Sequence, residues 1–172
     1  KSWHDGWRHL RFMLLYSPVF LFVLPGLLLT LLGLLAIPGA VIAGYGVYDD
    51  VFGPNFMYSA SLLSIVGSHL LVFGFLAKLY THQVDPVFED PRVAKLLSRF
   101  SVERGLVLGG LLVLAALFTG LPVLIQWYQT GSVPSPASWI FAGTLFTLGV
   151  EAVFTSFLVG ILDLPRESSR AG

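Results

Sequence analysis

Four long apolar stretches constrain what this chain can fold into more than any other feature of its sequence. They cover about residues 18–37, 58–79, 106–128 and 138–162, and each holds at most one Asp, Glu, Lys or Arg. A helix rises 1.5 Å per residue, so about 20 apolar residues cross the roughly 30 Å hydrocarbon core of a bilayer. Because hydrocarbon offers no partner to backbone polar groups, each stretch is expected to be fully helical. The sequence therefore predicts an all-α membrane protein with four transmembrane helices.

The composition supports this class and excludes others. Hydrophobic residues make up 55% of the 172 residues and charged residues only 12%, which is typical of membrane proteins. The absence of cysteine excludes disulfides and cysteine-ligated metal sites. The first apolar stretch is too long for a signal peptide and is followed by further spans.

The limits of the first span are open at this level. Pro25-Gly26 lies inside it, and a kink there is tolerable where neighbouring helices cover the freed carbonyl. Pro38-Gly39 marks one end, whereas the apolar residues 40–46 allow the helix to continue through Pro38. Aromatic residues stand at the other predicted span ends, as an interfacial belt requires, namely Tyr80, Trp127, Tyr128 and Trp139.

The ten cationic residues orient the four spans. They precede the first span, lie between the second and third, or follow the fourth: Lys1, Arg8, Arg11, Lys78, Arg92, Lys95, Arg99, Arg104, Arg166 and Arg170. All ten therefore fall on one side of the membrane. By the positive-inside rule we expect a multi-pass integral membrane protein with cytoplasmic N- and C-termini.

Residues 1–16 are predicted to form an interfacial juxtamembrane helix, and residues 17–172 the four-helix transmembrane domain. At helical spacing the segment has two separate stripes. The apolar stripe is Trp3, Trp7, Leu10 and Leu14, and the cationic stripe is His4, Arg8 and Arg11. Indole rings suit the headgroup region, and the cations suit lipid phosphates. The alternative is an anchor that only fixes the depth of the next helix.

A second cytoplasmic interfacial helix is predicted to begin at Pro91. Over residues 91–100 the apolar and cationic side chains again separate onto two faces. Together with the first helix it would frame a basic rim, whereas the alternative is a solvated loop whose charges serve only topology.

The chain also contains an internal repeat. Residues 67–76 align with residues 149–158, and residues 25–28 align more weakly with residues 109–112. We interpret the spans as two repeated helical hairpins, each entering from the cytoplasm and related by an axis near the membrane normal.

This repeat places His69 and Glu151 at corresponding positions and similar depth. Ionisable groups inside spans are costly and are functional candidates for that reason. One hypothesis is an intramembrane polar pair in which His69 donates to Glu151. The alternative is that both serve as polar contacts between helices, worth about 1 kcal/mol.

No catalytic or metal site is evident from the residues. Asp49-Asp50 and the group Asp85, Glu89 and Asp90 are read as solvated turns rather than metal ligands. Neither a nucleophile with a base, nor a phosphate-binding loop, nor zinc-ligand spacing occurs. The chain alone is therefore predicted to be non-catalytic and to hold no cofactor.

Four motifs carry a resemblance to a known family. Residues 5–18 read Asp-Gly-Trp-Arg-His-Leu-Arg-Phe-Met-Leu-Leu-Tyr-Ser-Pro, followed by Leu-Pro-Gly at 24–26, Ser-Val-Glu-Arg-Gly at 101–105 and Val-Phe-Thr-Ser-Phe at 153–157. This resembles the C-terminal membrane region of family 2 glycosyltransferases of the dolichyl- or polyprenyl-phosphate sugar synthase type. The resemblance covers essentially the whole chain.

The resemblance implies a cytoplasmic GT-A catalytic domain, N-terminal to Lys1, that uses a nucleotide sugar and a divalent metal, Mg or Mn. The acceptor would be a polyprenyl phosphate in the bilayer. This chain would anchor the catalytic domain, present the lipid acceptor and allow homo-oligomerisation. Membrane lipids are the expected partners, and no nucleic acid is.

Arg8, Arg11 and Arg104 are the candidate lipid-phosphate-binding residues. The resemblance indicates the region, and the choice among its residues follows from the affinity of guanidinium groups for phosphate. The family would have a neutral polar residue such as Gln where His69 and Glu151 stand. Two alternative functions remain, a small transporter or lipid flippase that uses Glu151 to couple proton movement, and a structural membrane assembly module.

Overall fold

The protein is an all-α bundle in the parts of the chain that a computed structural model describes, residues 6–7, 19–43, 49–84, 101–132 and 136–170. No strand occurs among these residues. The long helices are α1 (Leu24–Ala43), α2 (Pro54–Val84), α3 (Val102–Thr130) and α4 (Pro136–Arg170). Each is long and apolar enough to cross a membrane, which confirms the predicted all-α membrane fold. The predicted interfacial helices over residues 1–16 and 91–100 lie outside the described residues, apart from Gly6 and Trp7.

The first span begins with a π-helical turn, Val19–Val23, that leads directly into α1. Pro25 has no backbone N–H, and in a regular α-helix its ring would clash with the carbonyl four residues earlier. A wider turn before the proline accommodates both effects. Pro38 lies inside α1, which continues to Ala43, so the helix does not end at Pro38-Gly39.

At one end of the bundle, backbone hydrogen bonds at Gly53 and Gly131 define where helices begin and end. Ahead of α2, the short helix Asp49–Phe52 leads to Gly53, whose carbonyl accepts hydrogen bonds from the backbone N–H groups of Phe56 and Met57 at 3.1 and 3.2 Å. After α3, Gly131 adopts a left-handed φ of 72° and donates its N–H to the Trp127 carbonyl at 2.8 Å. A residue with a Cβ is strained in this conformation, so Gly131 ends α3 at a defined point.

Pairs of glycines bring the helices of each hairpin into backbone contact. A Cβ on Gly26 of α1 would lie 2.9 Å from the Gly67 carbonyl oxygen of α2. In the other hairpin, a Cβ on Gly109 of α3 would lie 2.8 Å from the Gly149 carbonyl oxygen of α4. Small residues are what close helix approach in a membrane requires, because dispersion contacts replace the hydrophobic effect there.

These glycine contacts correct one part of the predicted repeat. Gly67 and Gly149 are equivalent in the structure, in agreement with the alignment of residues 67–76 with residues 149–158. Gly26 corresponds to Gly109, whereas the alignment of residues 25–28 with residues 109–112 pairs it with Gly110, so that register is wrong by one residue. A Cβ on Gly110 would meet nothing within 4 Å, so this glycine does not lie at the helix contact.

The two hairpins meet mainly through α2 and α4, so the helices lie in the order α1, α2, α4 and α3. At the end away from Arg104, Ile37, Met57 and Ile140 belong to a buried apolar cluster. The outward faces are apolar as well: Phe118 is 85% exposed and Phe154 is 69% exposed. An apolar exterior is what contact with lipid requires.

Candidate functional site

A line of polar contacts joins α2 to α4. The Ser61 and Thr144 hydroxyl oxygens are 2.7 Å apart, and Thr144 donates to the Ile140 carbonyl at 2.8 Å, so Ser61 is the donor between the helices. Seven residues further along both helices, Ser68 donates to the Glu151 carboxyl. A seven-residue repeat of contacts is typical of parallel helices with a left-handed crossing. We call this line the polar seam.

Two polar side chains, Ser68 and His69, lie next to the Glu151 carboxyl at the seam. The Ser68 hydroxyl contacts Glu151 Oε2, and His69 Nδ1 lies 3.3 Å from Glu151 Oε1. His69 Nδ1 is also 2.7 Å from the Ile65 carbonyl oxygen. Because a carbonyl only accepts, Nδ1 must carry a hydrogen. The structure thus places His69 beside Glu151, with the Nδ1 hydrogen directed to the Ile65 carbonyl, and adds Ser68 as the donor to the carboxyl.

The Glu151 carboxyl lies deep in the bundle. Its side chain is 14% exposed, whereas that of His69 is 51% exposed. The apolar span that contains Glu151 ends at Leu162, about 11 residues or about 16 Å further along the helix. This depth is close to the centre of a hydrocarbon core of about 30 Å. A polar group at this depth needs a hydrogen-bond partner, and Ser68 provides one.

Glu151 and Ser68 line a groove of about 400 Å³ to which all four long helices contribute. The exposed surface of the wall is mostly apolar, and it includes Leu34 of α1 and Leu108 of α3. His69 is not part of this wall. Glu151 therefore has two neighbours on α2. Ser68 lines the groove with it, and His69 lies outside the groove on a partly exposed face of α2.

Arg104 lies on the first turn of α3, next to a residue that lines the groove. Gly105 is buried and lines the groove, and Arg104 immediately precedes it on an exposed position of the first turn of α3. Ser101 caps this turn by accepting the Arg104 backbone N–H at 3.3 Å. Gly109 packs against the turn of α4 that contains Glu151. Arg104 precedes Gly109 by five residues, so along the helix axis it lies about 8 Å from the level of Glu151, toward the start of α3.

The other predicted phosphate-binding residues, Arg8 and Arg11, lie outside the described residues. We call the end of the bundle marked by Lys78 and Arg104 the basic end. At the opposite end, Trp127 and Trp139 are about half exposed, as interfacial aromatic residues are expected to be. Among the described residues, no group of three or more His, Cys, Asp or Glu is placed to hold a metal ion.

Two features of the site were missed by sequence reasoning. Nothing in the sequence set Ser68 apart from the other small residues of its span, although it contacts Glu151. The groove itself was not predicted. A signal for the seam was present, because Ser61 and Ser68 share the seven-residue spacing of Thr144 and Glu151.

Comparison with known proteins identifies the family. Residues 75–163 match the family described as "Glycosyltransferase family 2 C-terminal transmembrane region". The chain belongs to this family. The predicted resemblance is thereby confirmed. Arg104 and Glu151 both lie within the matched residues of this transmembrane region. The matched range begins after His69.

A curated relative of this transmembrane region is the low-salt glycan biosynthesis hexosyltransferase Agl6 of Haloferax volcanii. It is 34% identical over 166 residues, which cover 94% of this chain and 39% of the relative. The chain thus spans about two fifths of the length of the relative that it matches. No solved structure matches the chain.

Proposed function

We propose that this chain is the membrane-anchoring and lipid-acceptor-presenting region of a polyprenyl-phosphate glycosyltransferase. In the full-length protein, a sugar would pass from a nucleotide sugar to a membrane lipid phosphate. Family membership and a relative named as a hexosyltransferase of glycan biosynthesis support the glycosyltransferase part of this proposal. The single observation that carries the lipid part is the apolar groove, whose lining on α3 begins at Gly105, next to Arg104.

The groove suits one segment of an isoprenoid chain. Its volume of about 400 Å³ is within the range of small-molecule sites, and its aliphatic wall matches a branched hydrocarbon. Lipid tails are as apolar as the groove, so the hydrophobic effect does not drive a tail from bilayer to groove. Discrimination must come from the shape of the groove and from the phosphate.

Arg104 is the described residue best placed to bind that phosphate. A guanidinium forms paired, charge-assisted hydrogen bonds with phosphate oxygens. Arg104 precedes the groove-lining Gly105, so we expect it to meet the headgroup of a lipid whose tail lies in the groove. Arg8 and Arg11 are proposed to complete the basic rim from the N-terminal interfacial helix.

The proposal includes an orientation with the basic end and both termini in the cytoplasm, where nucleotide sugars are available. The catalytic domain would precede Lys1 and would supply the nucleotide-sugar and divalent-metal sites. Family membership favours this function over the transporter and assembly-module alternatives.

The test is photo-crosslinking of a diazirine-bearing polyprenyl phosphate to the full-length enzyme in nanodiscs. Ala152 lines the groove, so Ala152→Phe should fill it and lower labelling of α3 and α4 about tenfold, which corresponds to about 1.4 kcal/mol. Ala115→Phe is the matched control, because Ala115 is exposed on the outer surface of α3. Arg104→Gln should weaken binding about 10-fold or more, and Arg104→Lys less.

The competitor distinguishes specific binding from general lipid contact. Unlabelled polyprenyl phosphate should displace the probe, and a polyprenol without phosphate should displace it much less. Equal labelling of the Ala152→Phe and Ala115→Phe variants would remove the groove from the proposal. Equal displacement by the two lipids would remove the phosphate site.

A further inference from the structure

The basic end of the bundle presents one cation from each hairpin beside the groove. On α2, Lys78 follows the groove-lining residue Leu71 by seven positions and Phe75 by three. A helix turns about 100° per residue, so Lys78 lies within about 20° of Leu71 and about 60° of Phe75 around the helix axis. On α3, Arg104 precedes Gly105, which also lines the groove. The two cations thus stand next to groove-lining residues on different helices.

The depth of Lys78 matches that of a lipid headgroup. Ser68 contacts Glu151, and Lys78 is ten residues after Ser68, which places it about 15 Å from the level of Glu151. Glu151 is close to the membrane centre, and half of the hydrocarbon core is also about 15 Å thick. The apolar span ends at Leu79, directly after Lys78. Arg104 is about 8 Å from the level of Glu151, and its long side chain spans part of the remaining distance to the headgroups.

The Lys78 ammonium is available to a ligand. The residue is partly exposed, and none of the residues that the structure describes forms an ion pair with it. The acid adjacent to Arg104 is Glu103, which is exposed on the first turn of α3. The charge of Glu103 opposes the binding of an anion, so this residue provides a control of opposite sign.

The internal repeat does not account for either cation. Gly67 is equivalent to Gly149, and at this offset Lys78 corresponds to Gly160 of α4. Arg104 is in the first turn of α3, whereas the corresponding start of the first span, residues 19–23, is uncharged. Each cation therefore occurs in one hairpin only, and each is next to the groove.

A phosphate monoester differs in charge from a phosphodiester. The second pKa of a monoester is about 6, so a monoester carries nearly two negative charges at pH 8, whereas a diester carries one. In the proposed reaction, a phosphate oxygen forms a bond to the sugar carbon while the bond from that carbon to the nucleotide breaks. The acceptor thereby changes from a monoester to a diester with a single charge. The glycerophospholipids of a bilayer are diesters as well.

We propose that Lys78 and Arg104 bind the same lipid phosphate, one from each hairpin, and that this pair selects a phosphate monoester over a phosphodiester. Two cations match a doubly charged phosphate, since each forms a charge-assisted hydrogen bond to it. The site thus holds the lipid acceptor in preference to bilayer phospholipid and to the glycosylated product. The inference rests on the proposed function, because it requires the tail of a lipid phosphate in the groove.

The first measurement is competition with the diazirine-bearing polyprenyl phosphate on the full-length enzyme in nanodiscs at pH 8. The unlabelled competitors are polyprenyl phosphate and its methyl phosphodiester, which has the same tail and one negative charge fewer. The monoester should displace the probe at about tenfold lower concentration than the diester, because the diester weakens one charge-assisted contact.

Variants assign this preference to residues. Lys78→Gln should weaken monoester binding about tenfold and change diester binding less, so the preference for the monoester should be lost. Lys78→Arg, which keeps the charge, should retain the preference. Glu103→Gln is the control, because it also changes a charge at the basic end but should not weaken the binding of either lipid.

The second measurement needs no variant. A water-soluble acetylating reagent modifies accessible lysine side chains, and mass spectrometry reports the modified fraction of Lys78. Polyprenyl phosphate should protect Lys78 from modification, and the methyl phosphodiester at the same concentration should protect it less.

Each outcome separates the two proposals. Specific labelling that depends on Arg104, with an unchanged monoester preference in Lys78→Gln, overturns the role of Lys78 and leaves the proposed function intact. Equal displacement by the monoester and the diester in the wild type, or equal protection of Lys78 by both, likewise overturns this inference alone. Absence of specific labelling by the polyprenyl phosphate probe overturns both.

Discussion

Adjacent glycines in α3 allow a direct test of the packing that creates the groove. A methyl group at Gly109 would lie 2.8 Å from the Gly149 carbonyl oxygen and 2.9 Å from the Val153 backbone nitrogen. A methyl group at Gly110 would meet nothing within 4 Å. We therefore compare Gly109→Ala with Gly110→Ala.

The magnitude follows from this difference in space. Both variants gain the same helix preference of alanine over glycine, about 1 kcal/mol, so this contribution cancels in the comparison. Of the three atoms nearest to a methyl at 109, Val153 Cγ2 belongs to a side chain, but the Gly149 carbonyl oxygen and the Val153 nitrogen belong to the α4 backbone and cannot rotate away. Such overpacking costs about 1–3 kcal/mol. Gly109→Ala should thus be about 1–3 kcal/mol less stable than Gly110→Ala.

The assay is reversible unfolding of the protein in mixed micelles of increasing SDS fraction, followed by tryptophan fluorescence. Gly149→Ala should behave like Gly109→Ala, because its methyl would lie 2.9 Å from the Gly109 carbonyl oxygen. The double variant should lose less than the sum of the two single variants, since both break the same contact. Stabilities of Gly109→Ala and Gly110→Ala that agree within about 0.5 kcal/mol would refute the close packing of α3 on α4.

Three further predictions address the seam, the loop and the orientation. Thr144→Val should destabilise the bundle by about 1 kcal/mol in the same assay, whereas Thr147→Val, which removes a hydroxyl that bonds within its own helix, should cost less. Gly131→Ala should cost about 1 kcal/mol, measured by local hydrogen exchange at the end of α3, because of its φ of 72°. The chain has no cysteine, so Ser101→Cys should react with an impermeant thiol reagent from the cytoplasmic side and Ser132→Cys from the opposite side. Reaction of both from one side would contradict the four-span topology.

Several elements of the site were accessible from the sequence because they depend on length and depth alone. Apolar runs of sufficient length specify the four spans, since a backbone in hydrocarbon must be helical. The repeat placed His69 and Glu151 at one depth, and the structure has them 3.3 Å apart. The role of this pair stays a prediction.

Other elements depended on which face of each helix meets its neighbour. In a soluble helix, the polar face marks the side away from the core, but these spans are apolar all round. Periodicity therefore could not choose between Gly109 and Gly110, and the predicted register was wrong by one residue at that point. Periodicity also could not show whether Ser68 contacts the Glu151 carboxyl or serves only in close helix packing.

The sequence by itself determined that this is a four-span helical membrane region that resembles the C-terminal membrane region of family 2 glycosyltransferases. Only the tertiary structure decided which small residues touch, where the groove lies, and that Glu151 faces both the groove and His69. The physical reason is that crossing a bilayer depends on the composition of each segment. Helix association inside the bilayer depends on the shape and hydrogen bonding of particular faces, because lipid and protein surfaces are equally apolar there.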